Sequence, residues 1–291
     1  MKEVNDVTII GTGAVGSALL DFFRKEQVPV RSEWNSRSGV VYSENGKKIS
    51  VQDTIPQSEN QIGRYVFITT PDDLIHVISE KIAALPVKWG MRNVIHCSGN
   101  LNAGELSALS EKGARTVSMH PLQTFTKKEG SERLTGISIS LEGDEELIVE
   151  LRALIKRMGS NPVELSREQK RALHIGAVFA SNYLVALLHK TETYLEEEGI
   201  KGGLEILKPL MLQTIANILE KGPVEALTGP VLRGDVSSVQ KHLDSLRGDH
   251  KTEIFYKLLG EEALRISQKR SEVDKELLQE LKNLLLVRYP G

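Results

Sequence analysis

Two groups of residues in this chain have types and spacings that could do chemistry. The first is Gly11-Thr12-Gly13-Ala14-Val15-Gly16. Glycines at its first, third and sixth places allow a tight turn, a close backbone approach and close helix packing, as a pyrophosphate cradle requires. The second group is dispersed: His120 and His174, then Ser181 and Asn182. Histidine titrates nearest neutrality, so it is the natural proton partner of a carbon that gains or loses hydride. At about 100° per residue, His174 and Ser181 share a helix face and Asn182 lies at its edge. The catalytic candidates are therefore His120, His174 and Asn182. Ser181 and Arg233 are the candidate substrate ligands, Arg233 through a bidentate grip on a carboxylate or phosphate. Each has a plainer reading beside it. His174 could be an inert core histidine, His120 could shape a turn, and Arg233 could serve a salt bridge. Asp235 could cap the next helix, and His96, inside a buried type of strand, reads as structural.

The far end of a dinucleotide site lies about twenty residues beyond the glycines. There the chain reads Glu33-Trp34-Asn35-Ser36-Arg37-Ser38. Arg37 among the donors of Asn35, Ser36 and Ser38 suits a ribose 2′-phosphate and NADP. A strand ending two residues sooner would instead give Glu33 the ribose hydroxyls and imply NAD. Thr70, Pro71, Ser98 and Gly99 follow other strand-like runs and join the cofactor-binding candidates, because ligands of such sheets lie outside the strands' carboxyl ends.

Positioning these groups takes a sheet. Val7–Ile10, Val28–Trp34, Tyr65–Thr69, Asn93–Cys97, Thr116–Met119 and Ile137–Leu141 read as strands. Helical stretches alternate with them at Val15–Lys25, Asp73–Leu85, Ala103–Lys112 and Asp144–Met158. Such alternation predicts an α/β fold with a doubly wound, mostly parallel sheet. From Ser166 the pattern is helical throughout. Ser166 and Gln169 form a capping-box signature, opening a helix to about Glu198. Further helices are expected at Gly203–Glu220, Val236–Leu246, His250–Gln268 and Ser271–Val287. The expected division is a Rossmann-type dinucleotide-binding domain at 1–165 and an all-helical domain at 166–291, to which the resemblance given below adds the substrate and dimerisation roles.

Composition narrows the function classes. With 37 basic and 39 acidic residues the net charge is −2, which gives no electrostatic case for nucleic acid. Seven scattered histidines and one cysteine do not form a metal-ligand pattern. Cys97, in a buried strand, is a poor nucleophile and can form no intramolecular disulfide, consistent with a reducing cytosol. The start MKEVNDVTII has acids where a secretory signal needs positive charge. No unbroken apolar run approaches the ~20 residues of a membrane helix. A cytoplasmic protein acting on a small molecule, with neither nucleic acid nor membrane as partner, is expected.

The motifs also carry a resemblance. The glycine loop, Thr69-Thr70-Pro71-Asp72, His96-Cys97-Ser98-Gly99-Asn100, Ser118 to Phe125 and Thr228 to Asp235 together resemble the DUF2520 family of bacterial Rossmann-like proteins. The wider superfamily includes 6-phosphogluconate and β-hydroxyacid dehydrogenases, pyrroline-5-carboxylate reductase and F420-dependent NADP reductases. The resemblance implies NAD(P)-linked hydride transfer, a cleft between domains, and homodimers through the helical half. One departure matters. The Lys and Asn that β-hydroxyacid dehydrogenases carry one helical turn apart are not reproduced, because His174 follows Lys170 and Val178 follows His174 at that spacing. Their lysine mechanism is not carried over. The function expected is NADP-dependent hydride transfer to or from a small anionic carbonyl, hydroxy, imine or amine compound. A nucleotide-binding sensor or scaffold without turnover is the competing class.

Overall fold

The computed structural model describes residues 4–43, 47–125, 130–270 and 274–287. The N-terminal half alternates strand and helix as its periodicity predicts. In order these are β1 (Val7–Ile10), α1 (Ala14–Lys25), β2 (Val30–Trp34), β3 (Gly39–Tyr42), β4 (Lys48–Val51), β5 (Tyr65–Ile68), α2 (Asp72–Ala83), β6 (Asn93–His96), α3 (Ser107–Ser110), β7 (Arg115–Pro121), β8 (Ser138–Gly143), α4 (Glu145–Arg157) and β9 (Asn161–Glu164). They form one sheet of order β4-β3-β2-β1-β5-β6-β7-β8-β9. The central strands β2, β1, β5, β6 and β7 run parallel. β1, β5 and β6 are buried at every position, as strands covered on both faces must be. Leu19 and Phe23 of α1 join Leu147 and Leu151 of α4 on one face of the sheet. Ile75 and Ile82 of α2 and Leu109 of α3 cover the other. The order reverses direction at β1, so a crevice opens beyond the carboxyl ends of β1 and β5.

Three strands lie outside the sequence expectation. β3 and β4 form an antiparallel hairpin on the edge of β2; both are short and largely unburied, so they lack an apolar signature. β9 contains Pro162, an ordinary strand breaker, yet stands at the sheet edge, where a missing N–H costs nothing. β7 also runs on through His120, which pairs with Ser140 of β8. His120 is therefore a strand residue and not one just past the strand.

Helices follow Glu164: α5 (Arg167–Ala180), α6 (Asn182–Glu197), α7 (Gly203–Ala226), α8 (Pro230–Arg233), α9 (Val236–Ser245), α10 (His250–Lys269) and α11 (Lys275–Leu285). The Ser166 capping box is formed in both directions. The single helix expected to Glu198 is two, broken at Ser181, whose φ of −125° and ψ of −71° leave the helical range. Helix α7 is likewise kinked at Gly222 (φ 79°), just before Pro223. The chain divides into two compact units, Met1–Val185 and Ala186–Gly291, so α5 belongs with the sheet. In the second unit Val231, Val239, Leu243, Leu264, Leu281 and Leu285 form the core. Arg167–Glu197 contains a window of mean hydropathy 1.4, none of it buried. By length and composition alone that stretch is apolar enough to cross a membrane. Counting unbroken apolar runs misses it, because Gly176, Ser181 and Asn182 interrupt the sequence.

Candidate functional site: a dinucleotide cavity and a histidine pair

The glycine loop leaves β1 and enters α1 beside the Thr69–Pro71 turn that leaves β5. Gly11 has φ 107°, a conformation that glycine adopts without strain, and a Cβ there would lie 2.7 Å from the Thr69 backbone. At Gly16 a Cβ would come within 1.9 Å of the Gly11 carbonyl oxygen, so the helix can pack this closely only through glycine. Gly13 differs: nothing lies within 4 Å of where its Cβ would stand. Its side is open, and α1 begins there without a side-chain cap. The first N–H groups of α1 are thus available to an anion, with the positive end of the helix dipole behind them.

Around this loop lies a cavity of about 550 Å³. Gly11, Thr12, Gly13, Asn35, Ser36, Thr70 and Pro71 all line it, so seven expected cofactor residues meet on one wall. Ala14, Val15 and Gly16 form the first turn of α1 behind them. Three observations fit a dinucleotide here. Gly13 is open, the helix start is uncapped, and the buried Thr70 hydroxyl has no hydrogen-bond partner among the described residues.

The ribose end can be read from side-chain direction. Trp34 points into the cavity, so Glu33, its neighbour on the strand, faces the other way. Glu33 is held there by Arg24 at 2.6 Å and by the Tyr42 hydroxyl at 3.1 Å. The alternative in which Glu33 takes the ribose is therefore not supported: strand alternation and its partners turn it toward α1. Asn35 is more structural than expected. Its Oδ1 accepts from the backbone N–H of Arg37 and Ser38 at 2.8 and 3.1 Å, which folds the loop. Arg37 stands exposed on that turn, with no ion pair among the described residues. The cavity lining contains one charged residue, Lys81, and no carboxylate.

A second cavity of about 440 Å³, also in the first unit, is lined by His120, Gln123, His174, Ser181 and Asn182 together with apolar residues of α5. The structure thus brings His120 to His174, Ser181 and Asn182, which the sequence places along one helical stretch. The two imidazoles meet edge to face at 6.0 Å between centroids. A Cβ on Gly99 would lie 2.6 Å from His120 Cε1 and 2.6 Å from His174 Nδ1, so both rings rest on this glycine. Ser98 and Gly99 consequently sit at the histidine pair and do not line the dinucleotide cavity. Ser181 offers less than expected. Its one proton goes to the Ala177 carbonyl at 2.7 Å, as a residue at a helix break satisfies its backbone. Gln123 is the opposite case: Thr124 N–H donates to its Oε1 at 2.8 Å, which leaves its NH₂ free to donate.

Electrostatics separate the histidines. Burial, then the charge of Lys170, lowers His120 to about 4, so it is a neutral imidazole at pH 7. His96 is also lowered to about 4 by burial. It bonds the Asn102 carbonyl at 3.0 Å through Nε2 and accepts from Ser98 N–H through Nδ1, a structural role as expected. Burial pushes the Cys97 thiol up to about 12, which suits no nucleophile. Among the described residues no group of three His, Cys, Asp or Glu could hold a metal.

Several residues were missed. Thr54, Ile55, Leu74 and Lys81 complete the first cavity; the first two follow the unrecognised hairpin. Lys170 is 3% exposed and bonds the carbonyls of Ser98 and Gly99. A lysine one helical turn before His174 was the available signal. Arg233 lies exposed at the end of α8, in the second unit.

Fold and cavity define a Rossmann-type dinucleotide fold followed by helices. Residues 137–263, from β8 into α10, match the family model described as a domain of unknown function, DUF2520. That match takes in less than half of the chain, whose fold is Rossmann-like. No curated protein matches its sequence. Among solved structures, a Bacteroides fragilis protein provisionally described as an NADP oxidoreductase superposes with TM-score 0.65 at 18% identity, covering 91% of this chain and 98% of its own. A Thermotoga maritima protein gives TM-score 0.65 at 21% identity over 91% and 99%. A variant imine reductase from Myxococcus stipitatus, solved with NAD⁺, gives 0.53 at 13% identity over 96% and 99%. At these identities the likeness is one of fold.

Proposed function

We propose that the protein is an NADP-dependent oxidoreductase acting on a small anionic carbonyl, hydroxy, imine or amine compound. The observation that carries the reading is the glycine-loop cavity, open at Gly13, with Lys81 in its wall and no lining carboxylate; Arg37 is exposed on the same loop as the lining residues Asn35 and Ser36. A 2′-phosphate needs cations and donors, whereas a free ribose diol calls for an acid. Neighbours described with NADP and with NAD⁺ share the fold, so these loop residues decide the choice. The dinucleotide, when bound, supplies or accepts hydride. The α1 N-terminus and the Gly13 backbone would hold its pyrophosphate, and Thr70 would donate to it.

At the second cavity, neutral His120 would donate a hydrogen bond to the substrate oxygen or nitrogen, with the His174 ring beside it in the same wall. Gln123 and Asn182 add neutral donors, and no carboxylate lines the cavity to repel an anion. Arg233 remains a proposed substrate ligand. The test is a titration with NADPH and NADH followed by the emission of Trp34, which lines the cavity, in wild type and Arg37→Ala. Loss of charge-assisted bonds worth about 1.5–3 kcal/mol should weaken NADPH by about 10- to 100-fold and leave NADH nearly unchanged. Equal binding of both by the wild type would remove the NADP assignment. Tight binding without turnover of any carbonyl or imine would favour the sensor reading.

A homodimer through the helical half is part of the proposal. Phe179 and Tyr183 are 64% and 56% exposed, and Leu210, Leu212 and Leu219 of α7 are 64%, 64% and 82% exposed. So much uncovered apolar surface marks an interface. With a cytosolic location, a second copy is its occupant. Light scattering should give twice the mass of the 32.3 kDa chain; a monomer that partitions onto vesicles would assign the surface to a membrane.

A further inference from the structure

Lys170 is a buried cation whose bonding partners are neutral. Its ammonium donates to the Ser98 carbonyl at 2.7 Å and the Gly99 carbonyl at 3.1 Å. The residue is 3% exposed and does not line the histidine cavity. The cost of burying an ammonium without an ion pair is large. Its consequence is seen one residue further on. Gly99, whose carbonyl Lys170 grips, is the surface on which both His120 and His174 rest. Lys170 and His174 are four residues apart on α5, so the same helix face carries the grip and one of the rings.

We propose that Lys170 is a positioning residue for the His120–His174 pair: by holding the Ser98–Gly99 turn against α5 it sets where both imidazoles stand. The inference rests on the histidine pair being the reacting site of the proposed oxidoreductase. The groups facing Lys170 are accounted for. Glu142 on β8 and Asp72 on α2 favour its charge, as would an ionised Cys97, while burial opposes it and lowers it to about 8. Glu142 is itself occupied, accepting from the Ala103 N–H at 2.8 Å. His120 on β7 feels the charge of Lys170 directly, second only to burial.

The test reads the imidazoles in the ligand-free protein, so it is separate from any assay of cofactor or turnover. The seven histidines are labelled at Cε1, His120 and His174 are assigned by single substitution, and their NMR titrations are compared in wild type, Lys170→Met and Lys170→Arg. Removing the cation in Lys170→Met should raise the His120 midpoint by about 0.5 unit or more and displace the ring signals of both histidines. Lys170→Arg keeps the charge but not the geometry, so the His120 midpoint should stay low while both ring signals move. A folded Lys170→Met protein with unchanged His120 and His174 titrations overturns the proposal. Should Lys170→Met not fold, the wild type still decides. Both ring signals should show an inflection near pH 8 as Lys170 neutralises, and flat signals through that range overturn it equally.

Discussion

At the scale of residues, the two cavities depend on glycines used for different reasons. Gly13 must be open, whereas Gly99 must be filled by its neighbours' rings. A methyl at Gly99 would stand 2.6 Å from both His120 and His174, nearer than any real carbon contact. Gly99→Ala should therefore displace both imidazoles. We expect turnover to fall by at least about 10-fold, in line with the contribution of a positioned acid or base, while NADPH affinity changes little. Steady-state kinetics beside a cofactor titration checks this, and equal losses in both would place Gly99 at the dinucleotide instead. The neutral state of His120 follows the same logic: an apolar setting and a nearby cation both act against a second positive charge.

At the scale of elements, the start of α1 and the loop before it form one unit. Gly16 lets the first turn of the helix lie on the Gly11 carbonyl, and Thr69 donates to that carbonyl from the neighbouring strand turn. Gly16→Ala would wedge these apart. A cost of about 1–3 kcal/mol, as for overpacking elsewhere, should appear as a lower Tm. NADPH binding should weaken in the same variant, because the N–H groups that face the phosphates move with the turn. The helical stretch from Ser166 offers a milder check. Ser166 accepts from Gln169 N–H and Gln169 accepts from Ser166 N–H. Ser166→Ala should lower stability by about 1 kcal/mol, read as a shift in the denaturant midpoint without loss of cofactor binding.

At the scale of the whole molecule, buried histidines give stability an acid limit. His96 is fully buried and lowered from 6.5 to about 4. The unfolded chain takes up that proton first as pH falls, so the folded state loses stability between about pH 6.5 and pH 4 and none of this effect remains to be lost above it. A shift of this size corresponds to at most about 3 kcal/mol. Chemical denaturation at pH 7 and pH 4.5 should show it, and His96→Gln should flatten the difference.

The sequence by itself determined the alternation of strands and helices, the glycine loop and its place between β1 and α1. These are local matters: short-range periodicity and backbone conformation are written in neighbouring residues. It also singled out His120 and His174 as candidates, because their type alone suits proton transfer. The tertiary structure decided the rest. Which way Glu33 faces, whether Ser181 has a proton to give and what Lys170 holds depend on partners from distant parts of the chain. The edge strands β3, β4 and β9 escaped for a related reason: an edge strand need not be apolar, so what makes it a strand is the neighbour it pairs with. The meeting of His120 from β7 with His174 from α5 over Gly99 from the turn after β6 is decided in the same way. Spacing along the sequence cannot encode it, since it arises only when the sheet and the helix are packed.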